Sequence, residues 1–228
     1  MTTGSDAHQL RHVPATVHGR VLVRAVPGDP APRWLVGFHG YAQSAEVFLE
    51  ALERTAGGGS WSIASVQALH PFYAGRAEEV VANWMTRQDR ELAIADNIAY
   101  VDAVIDDLVR GYGPPRALVF AGFSQGVAMA YRAGVRGRHR CDAIVAAGGD
   151  VPPELAQAEL PEWPRVLAAT GREDAWFPPK KLERDLEFLR TRSRDVRPLV
   201  FEGGHEWSDA VAAAAGAMLS EIAAGAAR

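Results

Sequence analysis

Ser124 lies in "AGFSQGVAMA", between Gly122 and Gly126. A serine hydroxyl there could attack a carbonyl, and the two glycines remove side chains that would crowd so tight a turn. A serine alone is a poor nucleophile. It needs a histidine to take its proton, and the histidine needs a carboxylate to hold its tautomer. For a serine on a strand–turn–helix the chain order is serine, acid, histidine. Only His139 and His205 follow Ser124. His139 sits in "RGRHR", a basic cluster that reads as a solvated helix end. His205 sits in "FEGGHEWS", between an apolar run and a helical pattern, where a base is needed.

Two acids compete. Asp150 in "GGDVPP" and Asp174 in "TGREDAWFPP" both follow apolar runs, so periodicity does not separate them. The short acidic turn closed by Phe177–Pro178–Pro179 favours Asp174, with Glu173 as its solvated neighbour. Attack on a carbonyl also creates an oxyanion, which backbone N–H groups can hold. Gln125 supplies one at a helix start, where the dipole favours negative charge. A second should come from the loop after an earlier strand. "FHGYAQS" fits, with Tyr41 as donor and Gly40 permitting close approach, while His39 reads as structural because it precedes the serine. Phe72, Tyr73, Trp84, Trp176, Phe177 and Trp207 are the aromatic candidates for a substrate pocket, each equally open to a core role. Arg87 and Arg90 are candidates to meet a phosphate or carboxylate, although solvated arginines are commoner.

These residues need a frame. "TVHGRVLVRAV" (16–26) reads as a strand or hairpin, after a polar arm over 1–15. Apolar runs at 33–40, 61–69, 116–123, 142–149, 165–171 and 196–204 read as strands. Helices fit 44–55 with Ser44 as cap, 125–135, 178–192 and 208–228. The clearest helical period is Ile94, Ile98, Val101, Ile105, Leu108, stopped by Gly111, Gly113 and Pro114–Pro115. Residues 70–90 read as a loop with a helical turn, and 150–164 as a proline-rich connection. Strands alternating with helices imply a mostly parallel sheet covered on both faces, with an antiparallel edge from the N-terminal strand. Ligands of such sheets sit beyond the carboxyl ends of the strands, where Ser124 falls.

Composition narrows the class further. The chain has 228 residues, 48% apolar, and a net charge of −4. That suits a single domain spanning 1–228, which should bury roughly 70–75% of its unfolded surface without disulfides or metals. The negative charge gives no reason to expect nucleic acid. Cys141, the only cysteine, lies beside an apolar run and reads as a buried thiol; no zinc spacing occurs. No uninterrupted apolar stretch approaches ~18 residues, so no membrane span is expected. The polar N-terminus lacks a signal peptide's apolar core, which points to the cytoplasm. The alanine-rich last helix is compatible with a monomer or a homodimer.

With these residues assembled, the chain resembles the carboxylesterase/lysophospholipase/acyl-protein thioesterase family of α/β-hydrolases over about residues 34–215. "FHG" (38–40) is similar to that family's oxyanion segment and "GFSQG" (122–126) to its nucleophile segment. "TGREDAWFP" (170–178) resembles its acid segment and "GGHEWS" (203–208) its histidine segment. The resemblance implies the α/β-hydrolase fold, Ser124 as nucleophile, Asp174 as acid, His205 as base, and oxyanion donors at Tyr41 and Gln125. It also implies a structural role for "AAGGDVPPEL", and a place near the acyl site for Trp84. Two segments depart from the pattern: Ala42–Gln43 stands where Gly–Asp is frequent, and 70–90 is unlike the thioesterase substrate loop. Both bear on the substrate. The implied activity is hydrolysis of carboxylic esters with an apolar acyl or aryl group, through an acyl-enzyme and without metal or organic cofactor. Thioester or amide cleavage on the same fold, or a non-catalytic binding protein, are the alternatives.

Overall fold

The computed structural model describes residues 8–76, 78–157 and 162–225. Parts of the expected arm, of the connection 150–164 and of the last helix fall outside them. In chain order the elements are β1 (Arg20–Arg24), β2 (Arg33–Phe38), α1 (Ala45–Ala56), β3 (Trp61–Gln67), β4 (His70–Ala74), β5 (Glu79–Asn83), α2 (Arg90–Tyr112), β6 (Ala117–Phe123), α3 (Gln125–Arg136), β7 (Ala143–Ala147), α4 (Pro153–Ala156), β8 (Arg165–Gly171), α5 (Pro179–Leu189), β9 (Val196–Phe201) and α6 (Asp209–Gly225).

Seven strands form one sheet in the order β1-β3-β2-β6-β7-β8-β9. All neighbours are parallel except β1, which runs antiparallel along β3. A buried parallel strand must be apolar on both faces, and β6 shows how. Leu118 and Phe120 join the core formed with α2, α3 and α5. Val119, Ala121 and Phe123 join the core formed with α1 and α6. All seven residues of β6 are buried, and each large side chain so buried contributes about 1.5–3 kcal/mol. The strand carrying Ser124 therefore sits at the rigid centre of the sheet.

Three expectations are corrected. Residues 70–90 are not a loop: β4 and β5 pair antiparallel in a separate two-stranded hairpin. Strands of five residues with mixed exposure carry too little periodicity to be read. The segment 16–26 gives the single strand β1, and the expected antiparallel edge forms on β3, since both edges of β2 are taken by β3 and β6. The helix expected to stop at Gly111 and Gly113 runs through Gly111 and ends at Gly113, whose φ of 87° breaks the α-conformation. The connection 150–164 contains the short helix α4. Ser44 caps α1 as expected, its side chain accepting from the Val47 N–H. Cys141 is half-buried, and burial raises its thiol pKa. Among the described residues no helix is long and apolar enough to cross a membrane, and no three His, Cys, Asp or Glu side chains gather to hold a metal.

His39, at the end of β2, is fully buried. One ring nitrogen, Nδ1, lies 2.7 Å from the Gly40 carbonyl, and the other, Nε2, lies 3.0 Å from the Ala68 N–H. The carbonyl can only accept and the N–H only donate, so the ring is neutral with its proton on Nδ1. Burial lowers its pKa below the ordinary 6.5. The unfolded chain thus binds this proton more readily, and stability is lost as pH falls below about 6.5 toward the folded value. Urea midpoints measured from about pH 8 to about pH 5 should fall in the wild type and fall less in His39→Gln, whose amide keeps a donor and an acceptor. Equal slopes would contradict this role.

Gly126 gives a second test. A β-carbon there would lie 1.9 Å from the Phe38 carbonyl oxygen, which is backbone and cannot rotate aside. Gly126→Ala should lower the thermal midpoint by an amount equivalent to about 1–3 kcal/mol or more. An unchanged midpoint would show that α3 is not pressed against β2.

Candidate active site

The end of β6 turns directly into α3 through Ser124, whose φ of 53° and ψ of −117° are unusual for a residue with a side chain. Such a conformation costs on the order of 1–3 kcal/mol and persists only when its surroundings enforce it. Here the Ser124 N–H donates to the Ala147 carbonyl at 2.9 Å, and the Ser124 carbonyl accepts from the Val127 N–H at 3.0 Å. A β-carbon at residue 122 would lie 2.4 Å from the Gly126 carbonyl. The two glycines of the motif are thus required by close approach of backbone on both sides of the serine.

Three side chains from three loops meet at this turn. His205, between β9 and α6, places Nε2 2.7 Å from Ser124 Oγ. Its Nδ1 lies 2.7 Å from Asp174 Oδ2. Asp174, between β8 and α5, is buried, and its Oδ1 accepts the Trp176 and Phe177 N–H groups, each at 2.8 Å. An ionised carboxylate only accepts hydrogen bonds, so the His205 proton belongs on Nδ1 and the lone pair on Nε2 faces the hydroxyl. The other candidates lie elsewhere. Asp150 pairs with Lys181 and Arg184 at 3.6 and 3.3 Å. His139 pairs with Asp106 at 2.9 Å on the surface beyond α3. Glu173 is exposed.

The loop after β2 comes close to the serine: a β-carbon on Gly40 would lie 3.3 Å from Ser124 Cβ. The Gly40 N–H is taken by Gln43 Oε1 at 2.8 Å and the Ala42 N–H by the Ala82 carbonyl at 3.1 Å. Tyr41 lies between them, its ring half-exposed on Phe72 at 5.7 Å between centroids. Gln125 opens α3, so its N–H has no intrahelical acceptor.

The side chain of Gln125 does something the sequence did not reveal. Its Oε1 accepts the Trp84 N–H at 3.0 Å, and its Nε2 donates to Asn83 Oδ1 at 2.7 Å and to the Met85 carbonyl at 3.0 Å. It fixes the segment leaving β5. The Trp84 indole N–H in turn donates to the His39 carbonyl at 2.9 Å, and the buried Asn97 amide donates to the Trp84 carbonyl at 2.8 Å. The glutamine of "GFSQG" and the tryptophan of "ANWMT" were visible in the sequence, but their pairing needs long-range contact.

Ser124, Gln125 and His205 line a cavity of about 540 Å³. Of the six aromatic candidates, Trp84, Trp176 and Phe177 line it. Trp84 and Phe177 are buried, while Trp176 is 76% exposed. Phe72 and Tyr73 are on the hairpin strand β4 and do not line the cavity. Trp207 is on the opposite face of the sheet, edge-on to Phe48 at 5.2 Å and donating to Thr55 Oγ1. Its position two residues after His205 in sequence does not carry over to space, because the chain turns there into α6. Arg87 and Arg90, candidates from the sequence, line the same cavity together with Met85, Arg132 and Lys181, which carried no signal there.

Comparison with known proteins agrees with the fold. The crystal structure of esterase PE8 is 27% identical and superposes with a TM-score of 0.71, covering 90% of this chain and 98% of that one. A Bacillus cereus carboxylesterase is 16% identical, with a TM-score of 0.72 and coverage of 90% and 94%. A carboxylesterase from Mesorhizobium loti is 15% identical, with a TM-score of 0.68 and coverage of 87% and 98%. At such identities the last two show the fold. No curated protein matches the sequence significantly. The profile of the phospholipase/carboxylesterase family matches residues 79–215, a span that includes Ser124, Asp174 and His205 but not the His39–Tyr41 loop. That span is more than half of the chain, which therefore belongs to the phospholipase/carboxylesterase family of α/β-hydrolases.

Proposed function

We propose that this single-domain protein hydrolyses carboxylic esters through Ser124, with His205 as base and Asp174 as the acid that orients it. The observation that carries the reading is the unbroken hydrogen-bond chain from Asp174 through His205 to Ser124, with 2.7 Å at both links. The hydroxyl oxygen attacks the ester carbonyl as its proton passes to His205 Nε2. Asp174 stabilises the resulting imidazolium across its hydrogen bond to Nδ1. The oxyanion is held by the N–H groups of Tyr41 and Gln125, the second reinforced by the dipole of α3. The imidazolium then gives its proton to the leaving alcohol, which departs and leaves an acyl group on Ser124. Water, losing a proton to neutral His205, attacks the acyl carbon and releases the acid. No metal or organic cofactor takes part in these steps. Trp176, exposed at the cavity, offers apolar surface to an acyl or aryl group, with the buried Trp84 and Phe177 packed in the wall behind it.

Strain at Ser124 and the buried, doubly hydrogen-bonded Asp174 both serve this end. They fix the geometry before substrate arrives, so binding need not create it. With an aryl ester as substrate, Asp174→Asn should lower kcat by a factor on the order of 10⁴ and Ser124→Ala by about 10⁶. Asp150→Asn should leave it close to wild type, since that carboxylate pairs with Lys181 and Arg184 rather than with His205. Loss of activity in Asp150→Asn with retention in Asp174→Asn would overturn the assignment of the acid.

A further inference from the structure

The wall of the cavity in front of Ser124 differs in charge from the rest of the chain. The sequence holds 28 acidic residues against 24 Lys and Arg. The cavity is lined by Arg87, Arg90, Arg132 and Lys181 against one acid, Asp150. Asp150 is engaged by Lys181 and Arg184, and Lys181 also donates to the Trp176 carbonyl at 3.0 Å. The three arginines are less well served. Glu154 accepts from Arg132 Nε at 2.7 Å through one oxygen and from Arg90 at 3.0 Å through the other, so one carboxylate serves two guanidiniums. Their remaining contacts are with the Met85 sulfur, at 3.6 Å from Arg132 and 3.4 Å from Arg90. A thioether is a weak acceptor. Arg87 is exposed and has no partner among the described residues.

Arg132 is the least expected of these. Its side chain is 2% exposed. Burying a guanidinium that shares its counter-charge is costly unless a further anion arrives. Burial lowers its pKa, and the charge of Arg90 acts the same way, while Glu154 and, less strongly, Glu91 act in the opposite sense. Its placement is set by helix geometry. Ser124, Ala128 and Arg132 are spaced by four residues, share one face of α3, and all line the cavity. Eight residues at 1.5 Å each put Arg132 roughly 12 Å along the axis from the serine.

Resting on the esterase reading above, we propose that the substrate carries an anionic oxygen group, a carboxylate or a phosphate, about two helical turns from its scissile carbonyl, bound by Arg87, Arg90 and Arg132. Arginine's planar fork matches both anions. The same cavity is lined by Trp84, Phe177 and Trp176, of which Trp176 is exposed. The substrate is thus amphiphilic, with an ester at Ser124, an apolar middle and an acidic end.

The test compares 4-nitrophenyl esters in matched sets. One member of each set ends in a methyl group, one in a carboxylate and one in a phosphonate, over a series of chain lengths. In the wild type, kcat/KM for an anionic ester of the fitting length should exceed that of its neutral partner by about tenfold or more. The larger of the carboxylate and phosphonate preferences identifies the anion. Arg87→Gln and Arg90→Gln should bring the ratio toward one. A purely structural role would lower both rates together and keep the ratio, which would overturn the proposal. A wild-type ratio at or below one at every length would also overturn it. If the neutral esters are cleaved in that case, only the anion site falls; if no ester is cleaved, the esterase reading falls with it. Arg87 is exposed and unpaired among the described residues, so its variant tests the proposal without disturbing the Glu154 pairings.

Discussion

Ser124 is held at φ 53° by contacts that leave its backbone no alternative, and the rest of the site is arranged around that constraint. Its N–H continues the sheet by donating to Ala147. Its flanking glycines let α3 press against the carbonyl of Phe38. The same turn frees the Gln125 N–H at the start of a helix and points the hydroxyl at His205. The strain is affordable because β6 is buried on both faces and paired on both edges, by β2 and β7. A sheet edge could not have held it.

Around that fixed point the polar groups form two connected sets. One is the line from the backbone of 176–177 through Asp174 and His205 to Ser124. The other runs from α2 through Asn97, Trp84 and Gln125, and from Trp84 to His39 and the end of β3. The two sets meet in the residue pair Ser124–Gln125. Gln125 therefore has two separable parts: a backbone N–H at the start of α3 and a side chain bracing the cavity wall. The neutral tautomer of His39 satisfies both of its ring nitrogens, and Asn97 donates through its amide nitrogen while its Oδ1 finds no partner among the described residues.

Much of this was legible in the sequence because it depends on local order. Glycines around a serine, a strand before it and a helix after it are contiguous features, and they gave the turn. The order of Ser124, Asp174 and His205 narrowed the base to one histidine. Periodicity left Asp150 and Asp174 open, the short acidic turn and the family resemblance favoured Asp174, and in the structure Asp174 is the one beside His205. The hairpin β4–β5 was missed because two five-residue strands with exposed faces leave no clear period. Trp207 was misplaced for a related reason. Nearness to His205 in the chain says nothing about which face of the sheet a side chain enters, and Trp207 enters the face of α1 and α6. Arg132 was missed because a buried arginine in a helix looks, in sequence, like any surface arginine.

The central claim is that Ser124 is a nucleophile activated by His205 and Asp174. Its most direct test is the rate and site of reaction with a fluorophosphonate, followed by mass spectrometry of the intact and digested protein. The account predicts one adduct per chain, on Ser124, absent in Ser124→Ala and formed far more slowly in Asp174→Asn. No adduct, an adduct on another residue, or unchanged labelling of Ser124→Ala would contradict it.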